Sequence, residues 1–187
     1  MKCVILILTT DNDPFKYIEN EGQRPTWIKR FSLDTNIKTY YYKSKSSIGS
    51  TISINDNILC PGQETKANIG IKTLQAFKFV RDKYQPDFIY RTNISSYINH
   101  KIFTKHINEI PMNKFYGGFI GYHPMHGRTS QVFCSGSGYF ISKDLIDLCI
   151  DKKNNWNHAL PDDVAISKIL CDNKISPTHQ NRFMFPP

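Results

Sequence analysis

The chain has 187 residues and a net charge of +8 at neutral pH. Its 40% apolar and 13% aromatic content excludes a disordered polymer and suits a single globular domain over residues 1–187. No apolar run is long enough to span a bilayer. Five scattered cysteines, without a CxxC pair or a Cys/His set at zinc spacing, exclude a zinc ribbon and a disulfide framework and point to a reducing compartment. The positive balance suits phosphate, nucleic acid or an acidic glycan as partner, or serves solubility alone.

Cys3 to Leu8 is a continuous apolar run of strand length, as in a parallel strand buried on both faces. It is too short for a secretory core and no small-residue cleavage site follows, so a buried first strand is expected and not a signal peptide. Thr9 to Pro14 reads as a polar loop at that strand's C-terminal end. A helix is expected over Tyr17 to Phe31, interrupted around Gly22 and Pro25. Ile37 to Lys43 alternates as a strand, and Lys43 to Asn57 reads as a loop with a weak strand at Thr51 to Ile54. Leu59 to Gly62 reads as a turn. Asn68 to Tyr84 is the clearest helix, with Ile71, Leu74, Phe77 and Val80 on one stripe. Asp87 to Tyr90 is the next strand, then a polar cluster from Arg91 to Ser96. A short helix follows over Phe103 to Ile110. Phe115 to Tyr122 and Val132 to Ile141 are strands joined by a Gly/His/Arg loop that holds His123 and His126. Ser142 is a natural N-cap for a helix to Ile150. Asp163 to Cys171 forms the last helix, and the tail from Ser176 is irregular. Strands alternating with helices, then hairpin-like pairs, predict an α/β layer with a mixed sheet flanked by helices. Ligands of such sheets gather at the C-terminal strand ends, where Thr9-Thr10 and Arg91-Thr92-Asn93 fall.

Two motifs carry chemistry. In "LPDDVAISKIL", Asp162 and Asp163 open a helix. One suffices to cap it; the other is then free to face a cleft as a general base. In "CSGSGYFISKDL", Gly136 and Gly138 flank Ser137, as suits a tight turn, a bulge or a ligand lying close to the backbone. Neither GxGxxG nor GK[ST] is present, so this is no phosphate loop.

In order, "GQRPTWIKRF", "NIGIKTLQAF", "DFIYRTNISSYIN", "CSGSGYFISKDL" and "LPDDVAISKIL" resemble the fringe and beta-1,3-galactosyltransferase group of glycosyltransferases. The likeness runs from about Val4 to His179. It implies a GT-A (Rossmann-like) fold and inverting transfer of a sugar from a UDP-sugar donor to a glycan acceptor, with Asp163 as base. It implies that Thr9, Thr10, Arg24 and Lys72 line the nucleotide, that Arg91, Thr92, Asn93 and Ser95 approach the diphosphate, and that Gly136, Ser137 and Gly138 border the transferred sugar. His179 falls at the family's C-terminal metal-binding histidine.

The main departure is at the family's metal-binding aspartates, where this chain has Asn93-Ile94-Ser95. Amides and hydroxyls are poor sole ligands for a hard dication such as manganese. Two routes follow. Either no metal is used and cations such as Arg91, Arg24 and Lys72 stabilise the leaving diphosphate, with His179 as a further donor, or the chain only binds nucleotide or glycan. Nucleic acid is a third partner class, but the lysines are dispersed and no RNP-type motif occurs. Trp156 reads equally as a sugar-stacking face or as a loop anchor. Lacking the membrane anchor of the family's Golgi members, the chain is expected in the cytoplasm of a bacterium or of a virus-infected cell.

Overall fold

The computed structural model describes residues 1–125 and 128–180. His126 and the end of the tail, residues 181–187, lie outside them. The described residues form an eight-stranded mixed sheet in the order β3-β4-β2-β1-β5-β7-β6-β8, with helices on both faces. β1 (Cys3–Leu8) lies between β2 (Ile37–Lys45) and β5 (Phe88–Asn93), parallel to both. That explains its unbroken apolar run: both of its faces are covered.

Successive residues of β1 feed two cores. Leu6 joins Tyr42, Ile89, Tyr139 and Ile141 under α3 (Ile69–Tyr84), α5 (Lys143–Asp151) and α6 (Asp162–Asp172). Ile5 and Ile7 join Trp27, Phe31, Phe88, Tyr90, Phe103 and Phe140 on the other face. That face is covered by α4 (His100–Ile107) and by an unbroken helical stretch of three segments. These are α1 (Phe15–Tyr17), a π-helix (Ile18–Ile28) and α2 (Lys29–Phe31). The expected interruption around Gly22 and Pro25 does not occur; the π-helix runs through both, with Pro25 inside it.

Three expectations are corrected. Leu59 to Gly62 is no turn: β4 (Asn57–Pro61) pairs in parallel with β2 and antiparallel with β3 (Ile52–Ile54), burying Ile58, Leu59 and Cys60. β5 does not stop at Tyr90 but runs on through Arg91, Thr92 and Asn93. α4 starts at His100 because the Asn99 side chain accepts the Ile102 N–H and caps it.

β6 (Tyr116–Met125) and β7 (Arg128–Ser142) form the expected antiparallel hairpin. Between the pairs Gly118–Tyr139 and Ile120–Cys134 the register shifts, so Ser135 to Gly138 bulge out of β7. β8 (Thr178–His179) adds a parallel edge to β6. No helix among the described residues is long and apolar enough to cross a membrane.

Candidate active site

The chain leaves β1 towards β2 on one side and returns to β5 on the other, so β1 and β5 meet where the strand order reverses. Ligands of open α/β sheets bind in the crevice at such a point, beyond the C-terminal strand ends. Leu8 pairs with Asn93, the last residues of the two strands, and the Ile94 N–H donates to Leu8 O at 3.0 Å. Thr9-Thr10 and Ile94-Ser95 therefore leave the sheet side by side.

Beneath this rim lies a buried polar network centred on Arg91, which is 1% exposed. Its Nε donates to the Tyr42 hydroxyl at 3.1 Å. Nη1 donates to Asn93 Oδ1 at 2.8 Å and to Gly136 O at 2.6 Å, and Nη2 meets Asp162 Oδ2 at 2.8 Å. Thr73 donates to the same Asp162 oxygen at 3.1 Å and shares a 3.0 Å hydrogen bond with Tyr42. Burial by itself would lower the Arg91 pKa; Asp162 and the buried tyrosines outweigh it and hold the guanidinium charged. Burial also pushes the Tyr42 phenol up to about 12, so it stays neutral.

Asp163, next in sequence, goes elsewhere. It is half-buried; Oδ2 accepts the Gly136 N–H at 2.7 Å and Oδ1 accepts the Val164 N–H at 2.9 Å. Burial, then the adjacent Asp162 charge, raises its pKa; the Gly136 amide, Arg91 and the Val164 amide pull the other way and lose. A half-buried carboxylate with a raised pKa suits general-base work. The bulge ties back to β5: Ser137 O accepts from the Thr92 hydroxyl at 2.8 Å and from the Ser96 hydroxyl at 2.9 Å. The structure thus brings Arg91, Thr92, Asn93, Gly136, Ser137, Gly138, Asp162 and Asp163 together, with exposed Ser95 on the rim beside them.

The remaining predicted residues stand further out. Thr9 is buried, with its hydroxyl 3.5 Å from Glu19, while Thr10 is half-buried. Arg24 is held by Glu19 at 2.6 Å and by Asp56, over the Tyr41 ring. Lys72 is buried and paired with Glu64. Every cation that the sequence nominated for a diphosphate is thus already opposite a carboxylate. His179 is exposed on β8, three strands from β5, with its ring 5.7 Å from Phe119. Trp156 is buried against Gly70, where an added Cβ would come within 2.5 Å of its Nε1, so it anchors its loop. His123 lies on β6 opposite Gln131.

The residues at the metal position do not fit a dication. Asn93 has one side-chain oxygen, and the Arg91 guanidinium already donates to it. Ile94 points into the core. Ser95 offers only a hydroxyl, and a positive charge sits where a second would be repelled. Among the described residues no group of three or more His, Cys, Asp and Glu side chains stands together to hold a metal.

Sequence reasoning missed Gln23. It is 3% exposed, and its amide donates to Ile94 O at 2.5 Å and to Ser96 O at 2.8 Å, tying the loop after β5 to the π-helix. Nothing but its place beside Arg24 could have marked it. Tyr42 and Thr73 were also missed, because their partners Arg91 and Asp162 are distant in sequence.

No established protein-family description matches the chain. It is 24% identical over 220 aligned positions to beta-1,3-galactosyltransferase 2 of Homo sapiens, an alignment covering 98% of this chain and 51% of that protein. The same figures hold for beta-1,3-galactosyltransferase 2 of Pongo abelii. The chain thus spans about half the length of the curated relatives it matches. Among solved structures it is similar to a glycosyltransferase involved in the glycosylation of the major capsid of PBCV-1, with a TM-score of 0.57, 13% identity and coverage of 97% and 82% of the two chains. It is also similar to 4-diphosphocytidyl-2C-methyl-D-erythritolsynthase of Anaerococcus prevotii, with a TM-score of 0.58, 12% identity and coverage of 100% and 90%. The chain accordingly has the Rossmann-like mixed-sheet fold shared by GT-A glycosyltransferases and nucleotidyltransferases.

Proposed function

We propose that the protein is a glycosyltransferase that moves a sugar from a nucleotide-sugar, of the UDP-sugar class, to a glycan hydroxyl with inversion and without a metal. The observation that carries this reading is Asp163. Its half-buried carboxylate, raised in pKa, is tethered to the Gly136 amide, whose carbonyl holds Arg91. The order of sequence motifs, the likeness to beta-1,3-galactosyltransferase 2 and the fold all support it.

In the proposed reaction an acceptor hydroxyl attacks the anomeric carbon. Its proton passes to Asp163 as the new C–O bond forms. The bond from the anomeric carbon to the phosphate oxygen breaks, and the nucleoside diphosphate leaves with the electron pair. Thr9, Thr10, Arg24 and Lys72 line the nucleotide; Asn93, Ser95 and backbone N–H groups of that loop face the diphosphate. Arg24 and Lys72 reach it by trading a carboxylate partner for a phosphate oxygen.

A second reading has one observation in its favour. Because each nominated cation is already paired, the crevice has no ready-made anion clamp, as in a domain that binds nucleotide or glycan without turnover. Incubation with UDP-sugars and a glycan acceptor separates the two. Release of UDP that persists in EDTA is the expected result. No release with any donor removes the enzyme reading, and loss in EDTA with rescue by manganese removes the metal-free route.

A further inference from the structure

The sequence casts Arg91 as a phosphate ligand, but the geometry gives it a different place. Its guanidinium is 1% exposed, and its three nitrogens are engaged by four partners on four elements. These are Tyr42 on β2, Asn93 on β5, Gly136 on β7 and Asp162 on α6. Two of the four are direct neighbours of the candidate base. Asp162 precedes it, and Gly136 holds it: the Gly136 carbonyl takes Arg91 Nη1 while the Gly136 N–H holds Asp163 Oδ2. Gly136 has no room for a side chain, since an added Cβ would run into Arg91 Nη1 and come within 3.2 Å of Asp163 Oδ2. The glycine is therefore clamped between the two.

We infer that Arg91 is a positioning residue, a buried cation that fixes Gly136 and Asp162 and through them sets the place of the Asp163 carboxylate. The inference rests on the reading of Asp163 as the base, and it adds what holds that base in place. Only a planar fork serves here. A lysine ammonium could face Asp162 but could not also reach Tyr42, Asn93 and Gly136, because its donors share one atom. The arrangement also explains the uncharged Asn93: a carboxylate there would compete with Asp162 for the same guanidinium.

The test needs no turnover, so it fails separately from the proposed function. Exchange of the Gly136 amide is followed by NMR in the wild type and in Arg91→Lys, which keeps the buried charge and loses the fork. Gly136 is expected to exchange about tenfold faster, the equivalent of one net hydrogen bond, with the Ile5 and Ile7 amides of β1 unchanged. In parallel, the Asp163 carboxyl is titrated by carbon NMR. The charged or titratable groups facing it are Asp162 on its own helix, Arg91 on β5, Tyr116 on β6 and Cys134 on β7. Its midpoint should move up in Arg91→Lys, where the Gly136 amide holds it less firmly, and further in Arg91→Met, where the nearby positive charge is gone as well. A wild-type exchange rate at Gly136 in Arg91→Lys overturns the inference, as does equal acceleration of β1 and β7 amides or an unmoved midpoint in a folded Arg91→Met. If Arg91→Met does not fold, the Arg91→Lys exchange decides alone.

Discussion

Asp162 and Asp163 are chemically identical neighbours that the first turn of α6 sends to different places. Asp162 turns inward to Arg91 and Thr73, a buried pair whose charges neutralise each other. Asp163 stays half-buried on two backbone amides, and burial raises its pKa. Asp163→Asn should lower kcat by about 10²–10⁴-fold while UDP affinity is kept, measured by UDP release and calorimetry; full activity would end the base assignment. Stability follows the same group. A carboxyl whose folded pKa lies above its usual 3.8 favours folding when protonated, and that contribution is lost as pH rises through the folded value. The stability of Asp163→Asn relative to wild type should therefore improve as pH is raised through that window, read from paired melting curves; a pH-independent difference contradicts it. The sequence offered both aspartates, and the resemblance to the galactosyltransferase group favoured Asp163 between them. It could not offer the Arg91–Asp162 pair, which spans β5 and α6.

At the scale of elements, β5 and β7 make the site. The sequence ends β5 at Tyr90 because Arg91 looks like a loop residue. The strand continues because Asp162, Tyr42 and Gly136, all on other elements, join Asn93 in supplying partners to the buried guanidinium. In β7 the two glycines are explained by close approach: side-chain space at Gly138 is filled by the Tyr90 hydroxyl and at Gly136 by Arg91. Gly138→Ala should cost about 1–3 kcal/mol by overpacking, seen as a lower midpoint in thermal melts. An unchanged midpoint would mean that Tyr90 can move aside. β4 was illegible for a similar reason. Its five residues make sense as a strand only once β2 lies beside them.

At the scale of the molecule, the net charge of +8 does not leave the nominated cations free for a diphosphate, since Arg24, Lys72 and Arg91 each face a carboxylate. In the proposed function, affinity for UDP comes from hydrogen bonds and from exchange of ion-pair partners. A ligand that binds only the folded state at 100 times its Kd adds about 2.7 kcal/mol. UDP should raise the melting temperature of this chain by several degrees and uridine by less, with or without manganese; no shift with UDP would remove the nucleotide site. By itself the sequence determined what local pattern can determine: the buried first strand, the long α3, the alternation of strands and helices, and the order of motifs leading to Asp163. Tertiary structure alone decided the strand order, the length of β5, the existence of β4 and the burial of Arg91. Those depend on which distant segments meet, since an apolar run or an arginine can stay inside only where other segments cover it or supply its partners.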